Sequence, residues 1–289
     1  MKTKVLLFAA AASAVFMLAS CGGRKAETSV TGNVSTLTTL ECDSTEVQGG
    51  VLYFLKDNSD DKMNPASLFG EVSDQIIQEL GIADGIPASM GAFVLRAEGK
   101  TVLFDAGLGP KMGGGNTLRL MAEYGIAPES IDYVYITHLH ADHIGGLVGD
   151  DGPVFPNAEV YLGQVEHDAW MAMSDDKNGL QKAVIGMYAD RLHLFAFGDV
   201  LPCGVEAIDA VGHTPGHTVF RHDNVLVIGD LLHGYALQSQ YPEFCANFDM
   251  DKEKSVESRK RIFQFAADNG LMMVGMHMPA TSYARRRSL

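Results

Sequence analysis

Ile136-Thr-His-Leu-His-Ala-Asp-His-Ile-Gly-Gly-Leu147 packs His138, His140, Asp142 and His143 into six residues. It follows Ile131-Asp-Tyr-Val-Tyr-Ile136, an alternating β-branched and aromatic run that predicts a strand delivering the cluster to its C-terminal end. Residues two apart on extended backbone point the same way, so His138 and His140 can grip one ion. Asp142 and His143 lie just beyond, where the chain must turn, and can face a second ion nearby. Imidazoles and a carboxylate without a thiolate suit Zn²⁺ or a similar first-row divalent ion. A polar loop with chance histidines is the bland alternative, and so dense a ligand cluster argues against it.

The rest of the chain supplies few comparable signals. Its 289 residues are 46% hydrophobic, enough for one large core or two small ones. A formal net charge of -14 argues against a nucleic-acid partner, and Arg285-Arg-Arg287 is too short to reverse that balance.

The N-terminus has its own logic. Lys2 and Lys4 precede an apolar stretch, Val5 to Leu18, that is too short to span a bilayer comfortably. Leu18-Ala-Ser-Cys21 resembles a bacterial lipobox, which implies a signal peptide over residues 1–20 and a lipid anchor on Cys21. The expected location is therefore the bacterial cell envelope, as a membrane-anchored lipoprotein. Residues 21–48 are Ser/Thr-rich and read as a flexible tether, with the catalytic domain over 49–289. Cys42, Cys203 and Cys245 show no ligand spacing and read as structural.

Along the domain, strands are expected at Val51–Leu55, Ala92–Arg96, Thr101–Asp105, Ala158–Leu162, Leu194–Phe197, Val205–Val211, Thr218–Arg221, Val225–Ile228 and Leu271–Gly275. Helices are expected at Leu68–Leu80, Asn116–Tyr124 capped by Asn116, Gln164–Met173, Lys177–Tyr188 and Asp251–Asn269 capped by Asp251. Strands flank helices in both halves without a Pro- or Ser-rich divider. The class is α/β (α+β), one domain of sheets packed face to face with helices outside.

Three more candidates each end an apolar strand: His213, Asp230 and His277. Asp105, ahead of Ala-Gly-Leu-Gly109, is placed to buttress a ligand from behind. His217 is four residues beyond His213 and reads either as a support or as a packed histidine. His233 reads as a loop or pocket histidine, His222 as solvated, and His167 and His193 as structural.

The order His138-x-His140-x-Asp142-His143, Gly212-His213-Thr-Pro-Gly-His217, Gly229-Asp230 and then His277 resembles the metallo-β-lactamase-fold hydrolases. That resemblance covers roughly Ser89 to Pro279 and implies a four-layer αββα sandwich with a dinuclear metal site at one edge. It implies that His138, His140 and His213 hold one ion, that Asp142, His143 and His277 hold the other, and that Asp230 bridges them. Two divalent ions, Zn²⁺ by preference, are the implied cofactors. Asp142 and Asp230 are the candidate catalytic carboxylates. Phe155-Pro-Asn-Ala158, Gly229-Asp-Leu-Leu-His-Gly234 and the helix from Arg259 to Ala267 look like the branch of methyl-parathion-hydrolase-like and lactonase-like enzymes.

The implied activity is hydrolysis of a small ester, lactone or phosphotriester by a bridging hydroxide. The partner would be a small-molecule substrate. Gly145-Gly146 would leave room for it, and Met90, Phe93 and Leu147 would form an apolar wall. The alternatives are a β-lactamase, which in this fold generally lacks an aspartate where Asp230 stands, and a non-catalytic zinc-binding lipoprotein. One departure stands out. After His277 the chain runs Met278-Pro-Ala-Thr-Ser-Tyr-Ala-Arg-Arg-Arg without the Pro-Phe-Pro-Gly-type turn usual in that branch, so a missing closing strand is expected to leave a sheet edge unpaired and His277 loose.

Overall fold

The computed structural model describes residues 37–39, 44–47, 49–58, 62–279 and 282–285. The signal segment, Cys21 and Cys42 lie outside the described residues; Cys203 and Cys245 are free thiols.

Two seven-stranded sheets carry the domain. In chain order the strands are β1 (Leu37–Thr39), β2 (Ser44–Val47), β3 (Gly50–Lys56), β4 (Lys62–Asn64), β5 (Ile86–Ala88), β6 (Gly91–Ala97), β7 (Lys100–Phe104), β8 (Tyr133–Ile136), β9 (Glu159–Gly163), β10 (Leu192–Phe195), β11 (Val200–Leu201), β12 (Val205–Asp209), β13 (Thr218–His222), β14 (Val225–Val227), β15 (Met272–Val274) and β16 (Ser282–Arg285). The N-terminal sheet runs β10-β9-β8-β7-β6-β3-β2, and the other runs β1-β16-β15-β14-β13-β12-β11. A small ribbon, β4 with β5, stands apart from both. The helices are α1 (Asp74–Leu80), α2 (Asn116–Glu123), α3 (Ala141–Ile144), α4 (Gln164–Met171), α5 (Gly179–Met187), α6 (Tyr235–Gln238) and α7 (Lys252–Asp268).

The period-two alternation of the strands sorts side chains between layers. Phe93 and Leu95 of β6 meet Phe220, Val227 and Val274 of the opposite sheet in the central core. Ala92 and Val94 of the same strand point outward, into a cluster with Met121, Trp170, Val184 and Tyr188 from α2, α4 and α5. On the far side Val219, Leu226 and Met273 pack on Ile262, Phe263 and Ala266 of α7. The result is the expected four-layer αββα sandwich.

Several expectations need correction. The tether over 21–48 does not extend to its expected end, because Ser44–Val47 pairs antiparallel with β3 and Leu37–Thr39 pairs with β16. The edge after His277 is not left open: Ser282–Arg285 pairs antiparallel with β15, and β1 covers its other side. A polar segment was enough, since a neighbouring strand supplies the pairing that its own sequence does not advertise. The expected helix over Leu68–Leu80 breaks into a 3₁₀ turn at Ala66–Phe69 and α1, which starts at the Ser73 cap. Asn116 does not cap α2. Asp57, at the end of β3, accepts from Gly115 N at 2.8 Å, from Thr117 N at 3.0 Å and from Thr117 Oγ1 at 2.8 Å. Asp251 does cap α7, accepting from Lys254 N at 3.1 Å.

Candidate metal centre

The ligand candidates converge because each stands where a strand ends at one edge of the sandwich. β8 stops at Ile136, and the chain passes extended through His140 (φ -71°, ψ 155°) into the single turn of α3, which carries Asp142 and His143. His213 follows β12, Asp230 follows β14 and His277 follows β15. The turn before Asp230 requires glycine. Gly229 has φ +51°, and a Cβ there would lie 2.6 Å from His217 Nε2.

His138 Nε2 lies 3.0 Å from His140 Nδ1, which lies 2.9 Å from His213 Nε2. Asp230 Oδ2 is 3.2 Å from His213 Nε2 and 3.6 Å from His138 Nε2. Asp142, His143 and His277 form a second group, with His277 Nε2 3.3 Å from Asp142 Oδ2. Asp230 reaches this group too: Oδ1 is 2.9 Å from His143 Nε2, and Oδ2 is 3.2 Å from His277 Nε2. All seven candidates named from the sequence are therefore in one cluster, with Asp230 between its halves.

Both groups fit divalent ions. Within each, the donor atoms lie no more than 4.8 Å from one another. Zinc–ligand bonds of about 2.0–2.2 Å bring donors to roughly 3–4 Å apart. His143 Nε2 and Asp230 Oδ1 are buried and face each other at 2.9 Å without the geometry of a hydrogen bond, an arrangement that a shared ion would satisfy.

The outward nitrogens are held in turn, which fixes each ring and aims Nε2 inward. His138 Nδ1 meets Thr137 Oγ1 at 3.0 Å, and His143 Nδ1 meets Asp105 Oδ2 at 2.6 Å. His213 Nδ1 meets Asp249 Oδ1 at 2.9 Å, and His277 Nδ1 donates to Ser89 O at 2.8 Å. Ser89 also donates its hydroxyl to Met276 O at 3.1 Å and to Met278 O, gripping the backbone on both sides of His277. His277 is clamped, not loose. Asp105 accepts from Thr137 N at 2.8 Å and Thr137 Oγ1 at 2.7 Å, and it holds φ at +55°, an unusual conformation for a residue with a side chain. Asp249 has no ligand-like spacing to mark it. Its only sequence cue is the acidic run before α7.

Glu166 was equally hidden. It is fully buried on α4 and accepts from Leu139 N at 2.9 Å, Trp170 Nε1 at 2.7 Å, Thr214 Oγ1 at 2.8 Å and Gly216 N at 2.8 Å. One carboxylate thus ties the loop carrying His138 and His140 to the loop carrying His213. Burial pushes its pKa up, while those four donors pull it down.

His217 is a support. Its Nδ1 donates to Ala210 O at 3.0 Å and its Nε2 accepts from Asp230 N at 2.9 Å, so the ring is neutral and braces Asp230. Burial, with His213 nearby, pulls its pKa down to about 3. His233 is the pocket histidine of its two readings, with Nε2 3.0 Å from Asp230 Oδ2 and Nδ1 buried without a partner. His222, expected to be solvated, is instead buried, with its Nδ1 3.1 Å from Cys203 O.

Protons divide unevenly over the cluster. Burial, then neighbouring histidines, pulls His138 well below the usual imidazole range and His140 down to about 4. Burial also opposes charge on His143 and His277, but Asp230 with Asp105 or Asp142 outweighs it. His143 therefore stays well above its usual value, and His277 is pushed up to about 10. His213 is raised as well, against burial, by Asp230 and Asp249.

A cavity of about 350 Å³ opens over the cluster, walled by Lys62, Asn64, Ala141, Phe248 and the ligand side chains. Among the described residues that line it there is no Ser or Cys. The expected apolar wall is not there. Phe93 and Leu147 are buried in the two cores on either side of the N-terminal sheet, and Phe248 faces the cavity instead. Nor do Gly145 and Gly146 make room for substrate. A Cβ on them would fall 2.1 Å from Leu108 O and 2.0 Å from Ala106 O, so they let the Asp105–Gly109 turn press against α3.

A family model described as the metallo-beta-lactamase superfamily matches residues 92–149, which include β6, β7, β8 and the first four candidate ligands. A hydrolase in the beta lactamase superfamily, AbOPH, superposes with a TM-score of 0.75 at 24% identity, covering 89% of this chain and 95% of that one. The chain has the metallo-β-lactamase fold. Within that fold, AidC, a dizinc quorum-quenching lactonase in complex with a product, gives a TM-score of 0.73 at 22% identity over 85% of this chain and 97% of its own. A probable metal-dependent hydrolase from Staphylococcus aureus gives 0.66 at 20% identity over 86% and 99%. By sequence, a Ribonuclease Z of Nanoarchaeum equitans is 47% identical over 51 residues, 18% of this chain. A second, from Methanothermobacter thermautotrophicus, is 38% identical over 73 residues. These matches span only 14% and 22% of the two relatives' lengths.

Proposed function

We propose that this chain is a hydrolase of a small ester, lactone or phosphotriester that works with two divalent ions, Zn²⁺ by preference. The observation that carries the reading is Asp230. Its two oxygens reach His143 at 2.9 Å and both His213 and His277 at 3.2 Å, so one carboxylate serves both halves of the cluster. Ions bound there supply Lewis acidity, which brings the pKa of water towards neutrality and polarises a carbonyl or phosphoryl oxygen.

The protein's own part is to hold and to orient. Asp105, Asp249, Thr137 and Ser89 fix the rings of His143, His213, His138 and His277, so the donors converge without rearrangement. His217 fixes Asp230 through its backbone N–H. Asp142 is held ionised, against burial, by His143 and His277. His233, whose pKa is drawn down to about 4 chiefly by burial, stands as a neutral ring beside Asp230 in the cavity wall.

The similar structures support the substrate class, since one is a lactonase with its product bound and others are hydrolases. The Ribonuclease Z matches raise RNA phosphodiesters as a second reading. A net charge of -14 opposes a polyanion.

The test is zinc-loaded protein against a panel of lactones, aryl esters, phosphotriesters and bis(4-nitrophenyl) phosphate, with metal analysis. We expect turnover of at least one neutral ester, lactone or triester, and a loss of more than about 100-fold in Asp230→Ala, because removing partners behind the ligands alone costs about 10–100-fold. Undiminished turnover in that variant would sink the reading, and preference for the phosphodiester would transfer it to the nuclease class.

A further inference from the structure

The histidine–aspartate cluster accounts for the floor of the cavity but not for its mouth. Among the described residues that line it, Lys62 is the one Lys or Arg. Among the described residues it has no ion-pair partner, in a chain whose acidic side chains outnumber its Lys and Arg by 36 to 22.

Lys62 is also not free to wander. It is half-buried on β4, which pairs with β5 in the register Lys62↔Ala88 and Asn64↔Ile86. Asn64, two residues along the same strand, is buried and donates to His233 O at 2.8 Å. Ser89, next after β5, is the residue that clamps His277. The ribbon is therefore pinned to the cluster at both strands, and the stem of Lys62 starts from a fixed point over the site. Phe248 shares the cavity wall, with its ring centroid 4.9 Å from that of His233 and 47% of its surface exposed.

We infer that the substrate carries a carboxylate beside its hydrolysable bond, bound by Lys62, together with an apolar portion that covers Phe248. The inference rests on the hydrolase reading for the bond that is cleaved, and on Lys62 alone for the charge. One cation matches one negative charge, and a half-buried ammonium gains more from an anion than a fully solvated one does. Neutral lactones or esters would then be turned over as incomplete substrates.

The experiment pairs two 4-nitrophenyl esters of equal acyl length, one ending in methyl and one in carboxylate, with calorimetric binding of glutarate against butyrate. The proteins are zinc-loaded wild type, Lys62→Met and Lys62→Arg. We expect wild type to favour the carboxylate ester by about tenfold in kcat/KM and glutarate by a similar factor in Kd, with both ratios shrinking as salt rises. Lys62→Met should bring both ratios close to one, and Lys62→Arg should retain most of each. Equal use of the two esters by wild type, or ratios unmoved in Lys62→Met, overturns the inference and leaves the hydrolase reading standing. If neither ester is cleaved while the glutarate preference holds and is lost in Lys62→Met, the assignment of Lys62 stands and the hydrolase reading is decided by the lactones and phosphotriesters of the wider panel.

Discussion

The two halves of the cluster share Asp230 and differ in how they hold protons. His138 and His140 are buried among other imidazoles, which penalise charge, so both are neutral and ready to donate a lone pair. His143 and His277 are just as buried, yet they face Asp105, Asp142 and Asp230, and these carboxylates keep them charged. Without metal, the first half is largely proton-free apart from His213, and the second is an ion-pair network. Identical residue types give opposite protonation because their nearest neighbours are imidazoles in one half and carboxylates in the other.

Acidification should break this symmetry most strongly. An ion must displace the protons that His143 and His277 hold, and each displaced proton costs about tenfold in affinity per pH unit. The second ion should therefore weaken by about 100-fold per unit as pH falls from 8 to 6, and the first by less, because only His213 among its ligands is raised. Equilibrium dialysis should show metal content falling from two per chain to one before it reaches zero. Loss of both ions with a single slope would contradict the comparison. The sign for the metal-free protein follows from the same shift. His277, raised to about 10, contributes stability that is fully present below its unfolded value of about 6.5 and is lost as pH climbs towards 10.

The supports behind the ligands sharpen the comparison by selecting a half. Asp105→Asn, at a φ that Asn tolerates, should weaken the second ion about 10–100-fold and the first far less. Asp249→Asn should do the reverse through His213. Competition with a chromophoric chelator reads both, and equal losses of both ions in either variant would mean that the halves are not separable.

Glu166 offers the smallest effect. All four of its partners point a hydrogen at the carboxylate, so Glu166→Gln must turn an amide N–H2 against at least one N–H. A cost of about 1–3 kcal/mol should appear as a fall of a few degrees in Tm. It should also loosen the first ion more than the second, because Leu139 and Thr214 flank first-half ligands. An unchanged Tm would remove Glu166 from its linking role.

What could be read before the fold was known tracks how local the information is. His138, His140, Asp142 and His143 sit on one strand end and one turn, so their chemistry shows in their spacing. His213, Asp230 and His277 were visible because each closes an apolar run, and a sandwich gathers its strand ends at an edge. Asp57, Glu166 and Asp249 gave no such cue. A buried acid on a helix or loop looks like a surface one until its donors are known, and donors such as Leu139, Thr117 and His213 lie 27 to 60 residues away.

The sequence by itself pointed to sheets packed face to face with helices outside, through strand alternation and helix placement, and to the ligand candidates, through residue type at strand ends. The four-layer αββα sandwich and the division of ligands between two ions were implied by the family resemblance. Tertiary structure alone decided the rest: that Ser282–Arg285 is paired, that Phe248 and not Phe93 faces the cavity, that Lys62 stands over it, and which histidines keep a proton. The physical reason is the same in each case. Hydrophobic period and ligand chemistry are properties of neighbours in the chain, whereas burial, pairing and charge state are set by neighbours in space.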